Sequence, residues 1–176
     1  EKLLKGEIPG KAIEIKEISS QEIQQLIDDM LRVANGEQGD TNRRTMVGLA
    51  APQLGVSKRI IIIDTASTGM GETPELHAYI NPAIVSKSEH LEQGREGCFS
   101  TGNVCGNVNR SSEIVVSGYN RQGELASEAW TGFTARIFQH EIDHLNGKVF
   151  VQYLSNLKLN RLKSKIKKQQ RESASS

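Results

Sequence analysis

The chain has 176 residues, with 22 Lys or Arg against 21 Asp or Glu and a formal net charge of +1. That length suits one domain over 1–176 with a sizeable core. A charge so near zero argues against DNA as a general partner, and no apolar run approaches the ~20 residues that span a bilayer. Residues 1–18 mix charge with isolated apolar positions around Pro9 and Gly10 and read as an extended arm. Ser19 and Glu22 have the S-x-x-E spacing of a capping box. Ile23, Leu26, Ile27, Met30, Leu31 and Ala34 follow at helical spacing, so 20–35 is expected to be an amphipathic helix packed on the core. Gly36 to Arg44 is polar and turn-rich, a loop. Met46 to Gly55 is a small-residue turn beside a strand.

Ile60-Ile61-Ile62-Ile63, within Arg59 to Asp64, has the length and branching of a buried strand. Thr65 to Pro74 reads as a surface loop. Two strands, His77 to Asn81 and Ile84 to Ser88, are expected on either side of Pro82. Ile114 to Tyr119 and Leu125 to Trp130 form a hairpin about the turn Asn120-Arg121-Gln122-Gly123. Thr131 to Asn146 is a helix stopped by Gly147. Val149 to Tyr153 is expected as a short strand, and Ser155 caps a last helix over 155–168 with Leu159, Leu162 and Ile166 on one face. Residues 172–176 are expected to be disordered.

One helix carries the chemistry. Gln139 to Gly147 contains H-E-x-x-H, which puts His140 and His144 on one face roughly 5–6 Å apart at Cβ, near enough to grip one metal ion. Glu141 then sits where a carboxylate takes a proton from water. The motif supplies two ligands and needs a third. By itself it leaves open a zinc endopeptidase or a structural metal site on a binding module. Endopeptidases of this type usually find their third ligand downstream. After His144 the chain has no His or Cys, and its one acidic residue is Glu172.

Three blocks stand in order: Gly48-Leu49-Ala50-Ala51-Pro52-Gln53, Glu96-Gly97-Cys98-Phe99-Ser100 and Gln139 to Gly147. The combination resembles the peptide deformylases, which remove the N-formyl group from the initiator methionine of new polypeptides. The resemblance implies an α+β fold, antiparallel β-strands packed around a central helix that carries H-E-x-x-H, with an N-terminal amphipathic helix and a C-terminal basic helix. It implies Cys98, His140 and His144 as ligands of one divalent ion, with the fourth position left to water. Fe²⁺ is then the expected native metal, with Zn²⁺, Ni²⁺ or Co²⁺ compatible with the same soft donor set. Water activated by the metal attacks the formyl carbonyl, Glu141 acts as general base and acid, and the Gln53 amide and the Phe99 backbone N–H donate to the oxyanion. Gly48 and Gly97 are expected along the substrate backbone, Val47, Phe133 and Ile137 around the methionine side chain, and Arg110 on the substrate backbone.

This chain departs from the common family pattern at Met46, where glycine is usual, at Phe99 in place of leucine, and at Thr101-Gly102 in place of Ile-Pro. The loop through Asn103, Cys105, Gly106 and Asn107 is therefore expected to have an unusual shape. Cys105 has no second metal motif beside it, and two cysteines are too few for a disulfide framework. That usage fits a reducing compartment, a bacterial cytoplasm. A start at Glu1 instead of Met suggests trimming, which leaves an organellar matrix or stroma open. From Lys158 to Arg171 there are seven basic residues and no acidic one. Such a helix suits ribosomal RNA, so the ribosome joins formyl-methionyl nascent peptides as an expected partner. No membrane and no direct DNA contact are expected, and a monomer is favoured.

Overall fold

In the computed structural model, which describes residues 10–38, 41–42, 45–68, 70, 72–97, 105–161 and 164, one antiparallel sheet is covered by a helix on each face. The elements run α1 (Gln21–Ala34), β1 (Glu37–Gln38), β2 (Thr41–Asn42), β3 (Gly48–Ala50), β4 (Ile60–Asp64), β5 (Leu76–Lys87), β6 (Leu91–Gly97), β7 (Cys105–Ser111), β8 (Glu113–Tyr119), β9 (Leu125–Thr131) and α2 (Gly132–Leu145). Short 3₁₀ turns follow β3 at Ala51–Leu54 and α2 at Phe150–Tyr153. The main sheet has the strand order β3-β4-β5-β8-β9, and β6 pairs with β7 separately.

The isoleucine run explains the layering. Side chains alternate along a strand, so Ile61 and Ile63 face α2, where they meet Ala135, Phe138, Ile142 and Leu145. Ile60 and Ile62 face α1, against Ile23, Ile27, Met30 and Ala34. With both faces covered, every residue of β4 is buried, and polar alternation has no place in it. Each such isoleucine contributes about 1.5–3 kcal/mol through burial. A third cluster, Val108 with Val149, Phe150, Val151 and Leu154, packs β7 against the chain that leaves α2.

Several expectations need correction. The first helix begins at Gln21 with Ser20 as its N-cap, and Ser20 Oγ donates to the Glu17 carbonyl (3.0 Å), so the Ser19–Glu22 capping box does not form. Two strands were expected around Pro82; one continuous β5 is found. The missing proline N–H falls at a register shift between Ile80 and Ala83, where a bulge tolerates it. Asn81 there has φ 50° and clasps the arm: Ile15 N–H donates to Asn81 Oδ1 (2.9 Å) and Asn81 Nδ2 to the Ile15 carbonyl (2.8 Å). Val149 to Tyr153 is not a strand but largely the 3₁₀ turn. The β6–β7 ribbon was not anticipated: Cys105 to Asn107 belong to a strand, with Gly97 opposite Cys105 and Arg95 opposite Asn107. The last helix is described over 156–161, with Lys158 N–H donating to Ser155 Oγ at 3.4 Å. Leu162, Ile166, 1–9 of the arm and the tail lie outside the described residues. No described helix is long and apolar enough to cross a membrane, which says nothing of β-barrels.

Candidate active site

Helix α2 is packed on nearly all sides, and its three faces do different work. Ala135, Phe138, Ile142 and Leu145 enter the sheet core. Arg136, Gln139 and Asp143 turn towards the β6–β7 ribbon and what packs on it. Gln139 pairs with the Ser111 backbone twice, accepting from its N–H (3.2 Å) and donating to its carbonyl (2.9 Å). Phe133, Ile137, His140 and Glu141 line a cavity of about 330 Å³, together with Thr45, Met46, Val47, Gly48, Gln53, Arg95, Glu96, Gly97 and Arg136.

The two imidazoles are held from behind. His140 Nδ1 lies 3.0 Å from Glu96 Oε2, and His144 Nδ1 lies 3.1 Å from the Lys148 carbonyl. Gly147, at φ 73°, makes the turn that brings Lys148 back to the helix. Both acceptors lack a proton to give, so each Nδ1 carries the hydrogen and donates. In its neutral form each ring then presents a lone pair at Nε2. Those two Nε2 atoms face one another at 3.1 Å. Converging lone pairs with acceptors behind the rings are the arrangement that metal-binding histidines adopt, and the two imidazoles fit one ion. His144 is fully buried and His140 8 % exposed. No group of three His, Cys, Asp or Glu donors gathers among the described residues, and Cys98 and Phe99 lie outside them. Gly97, next to Cys98 in the chain, does line the cavity.

Glu96 is the centre of a buried ionic network. Arg110 meets it in bidentate fashion through Nε and Nη2, both at 2.9 Å, and Arg136 Nη1 adds a third contact at 2.9 Å. Arg110 Nη1 also binds Asp143 Oδ2 at 2.5 Å, and Tyr153 OH donates to Asp143 Oδ1 at 3.0 Å. Two carboxylates and two guanidiniums thus balance. Burial would raise the Glu96 carboxyl, but the hydrogen bonds from His140 and Arg110, the Arg110 charge and the charge of a protonated His140 outweigh it and hold it at about 2. Burial likewise opposes the Arg110 charge, and the bonds and charges of Glu96 and Asp143 overcome it and strengthen the cation. Glu96 is therefore an acceptor throughout the neutral range, which fixes the His140 tautomer.

On the opposite wall, Ala50 N–H donates to Gln53 Oε1 at 2.7 Å, which fixes the amide so that Nε2 is its other end. Gly48 packs directly on α2. A Cβ there would lie 2.5 Å from Glu141 Oε1 and 2.8 Å from Ile137 Cγ2. Strand β3 is the edge of its sheet, so among the described residues no strand pairs with its outer side, the kind of edge an extended chain can join.

The structure gathers Val47, Gly48, Gln53, Gly97, Phe133, Ile137, His140 and Glu141 around one cavity. It does not bring Arg110 there. The expectation that Arg110 touches substrate is corrected: its guanidinium is 6 % exposed and turned into Glu96 and Asp143. Three participants were missed: Glu96, Arg136 and the Lys148 carbonyl. The signal for the first two was present, since Arg136, Gln139 and Asp143 recur at i, i+3 and i+7 beside the histidines and need buried polar partners.

Comparison with known proteins bears on the fold and the family. The family model for polypeptide deformylase matches residues 7–160. The peptide deformylase of Pseudomonas aeruginosa is 37% identical over 158 residues, covering 90% of this chain and 88% of that protein. That of Halothermothrix orenii is 43% identical over 142 residues, covering 81% and 83%. Among solved structures, peptide deformylase from Ehrlichia chaffeensis in complex with actinonin superimposes with a TM-score of 0.77 at 33% identity, covering 93% of this chain and 92% of that one. The Met-Ala-Ser-bound class I type b peptide deformylase from Acinetobacter baumannii gives 0.71 at 32%, covering 88% and 93%. A match of this extent, over both the sheet and the helix that holds the paired histidines, makes the chain a member of the peptide deformylase family, the metal-dependent hydrolases that remove N-formyl groups from nascent peptides.

Proposed function

We propose that His140, His144 and Cys98 hold one divalent ion, Fe²⁺ in the native protein, and that Glu141 works beside it as general base and acid. The single observation that carries this reading is the convergence of the two Nε2 atoms at 3.1 Å, both rings being tied back through Nδ1. Zn²⁺, Ni²⁺ and Co²⁺ suit the same donors, so metal analysis of anaerobically purified protein is the test of the native ion. When bound, the metal supplies a Lewis acid that brings the pKa of water from 15.7 towards about 7.

The chain's own residues do the rest. Glu141 takes a proton from the attacking water as its oxygen bonds to the formyl carbon. The Gln53 amide and the Phe99 backbone N–H donate to the carbonyl oxygen as it becomes an oxyanion, each worth roughly 3–4 kcal/mol. Glu141 then passes the proton to the leaving nitrogen, the C–N bond breaks, and formate and the free amine depart. Gly48 on the β3 edge and Gly97 on the opposite wall hold the substrate backbone in extended form, and Val47, Phe133 and Ile137 receive the methionine side chain. Phe133 and Ile137 stand one α-helical turn apart on the cavity face.

Formate release from formyl-Met-Ala-Ser, with casein as a protease control, tests the reaction. Glu141→Ala is expected to keep its metal and lose deformylation. Hydrolysis at the normal rate would show that Glu141 is not the base. The basic segment after Asn156 is proposed to dock on ribosomal RNA, with the chain acting as a monomer in a bacterial cytoplasm or an organelle. Removing that segment should weaken ribosome binding and spare hydrolysis of the short peptide. Unchanged ribosome affinity would refute the docking.

A further inference from the structure

Arg95 differs from the two arginines that hold Glu96. Arg110 and Arg136 are buried against Glu96. Arg95 lines the same cavity but is exposed, and no ion pair or hydrogen bond of its side chain exists among the described residues. Alternation puts Gln93, Arg95 and Gly97 on one face of β6, and Gly94 and Glu96 on the other. Across the ribbon, Asn109, Asn107 and Cys105 stand opposite those three positions. That face is polar yet holds no carboxylate. The acids that line the cavity are Glu96, already matched by two guanidiniums, and Glu141 on the far helix. Thr45, Met46 and Val47, also on the wall, carry no charge. A fixed positive charge therefore stands at the cavity lip with nothing beside it, among the described residues, to neutralise it.

Its place along the cleft gives that charge a meaning. Gly97 lies at the reacting end of β6, since it lines the cavity with His140 and Glu141 and its neighbour Glu96 binds His140 at 3.0 Å. At about 3.3 Å per residue, Arg95 is roughly 7 Å further along β6, two residues of an extended peptide. Resting on the deformylase reading above, we propose that Arg95 is a specificity-determining residue that favours formyl-methionyl chains carrying Asp or Glu in the two residues after methionine, and disfavours Lys there.

The test uses metal-loaded full-length protein and formyl-Met peptides built on Ala-Ser, with Glu, Gln or Lys placed at the second or third position. At low ionic strength kcat/KM for the Glu peptide should exceed that for the Gln peptide about 2–5-fold, the range of an exposed ion pair, with Lys below Gln by a similar factor. The difference should lie in KM and shrink at 0.5 M salt, as screening requires. In Arg95→Gln the ratio should fall to about one, and in Arg95→Glu it should invert. Each ratio is taken within one protein, so a change in folded fraction cancels. Equal kcat/KM on all three peptides, or a Glu preference that survives Arg95→Gln, would overturn the proposal while leaving the deformylase reading intact. Absence of formate from every peptide with the wild-type protein would overturn both.

Discussion

Replacing Gly48 by alanine adds one methyl group where strand and helix touch. The new Cβ would lie 2.5 Å from Glu141 Oε1, 2.9 Å from Glu141 Cγ and 2.8 Å from Ile137 Cγ2. Carbon–carbon contacts settle near 3.5–4.0 Å, so something must move by more than half an ångström. The carboxylate can swing, but Glu141 Cγ and Ile137 Cγ2 belong to a helix held by the sheet behind it. Overpacking of this kind costs about 1–3 kcal/mol, which for a chain of this length lowers the melting temperature by roughly 2–12 °C. The larger effect is on Glu141. A displacement near 1 Å at a reacting group costs on the order of 100-fold in rate. The Gly48→Ala protein is therefore expected to keep its metal, melt slightly earlier, and release formate from formyl-Met-Ala-Ser about 100-fold more slowly. Wild-type kcat/KM in a folded, metal-loaded Gly48→Ala protein would refute the idea that this contact sets the position of Glu141.

Other outcomes follow from the same geometry. Glu96→Gln keeps the shape but leaves Arg110 and Arg136 facing a neutral group; chemical denaturation should show a loss of about 3–5 kcal/mol, and equilibrium dialysis a metal affinity weaker by roughly 10–100-fold. Asn81→Ala gives up both bonds to Ile15 and leaves φ 50° to a residue without the short polar side chain that lets asparagine tolerate it; a loss of about 2–4 kcal/mol is expected, with faster proteolysis of the segment before α1. The Tyr79 hydroxyl is pushed up, first by burial and then by the charge and hydrogen bond of Glu128. Above pH ~10 an unfolded tyrosine ionises while this one stays protonated, so stability should fall as pH rises past that value. Tyr79→Phe should flatten that fall in pH-dependent melting.

How much could be read in advance depended on whether a residue's partner was near in the chain or distant. Ile60 to Ile63 announced a strand because branching and burial act locally, and His140, Glu141 and His144 announced themselves through helical spacing. Gly48 and Gln53 came from a block of sequence and were found on the cavity wall opposite α2. The ribbon β6–β7 was illegible for a physical reason. Between Leu91 and Gly97 Glu96 alone is fully buried, so there is no apolar alternation to detect. The strand earns its place by wrapping Arg136, whose guanidinium donates to the carbonyls of Val108 (2.9 Å) and Glu92 (2.6 Å). Arg110 was assigned to the substrate for the same reason in reverse: its partners, Glu96 and Asp143, lie 14 and 33 residues away, and nothing near it in sequence showed that it was already engaged. The strand expected at Val149 failed because Val149, Phe150 and Val151 bury themselves through a 3₁₀ turn against Val108 instead of joining a sheet.

The packing of α2 on nearly every side bears on how the site breathes. A helix with one solvent face can fray alone, and its amides exchange with deuterium far faster than the molecule unfolds. Ten of the fourteen residues of α2 are buried, and Gln139 and Arg136 tie it to strands outside its own sheet. Amides from Phe138 to Leu145 should then exchange only when the whole molecule opens. A chelator seeking the two imidazoles has to come in through the cleft, as a substrate does, because the helix that carries them offers no cheaper way to loosen.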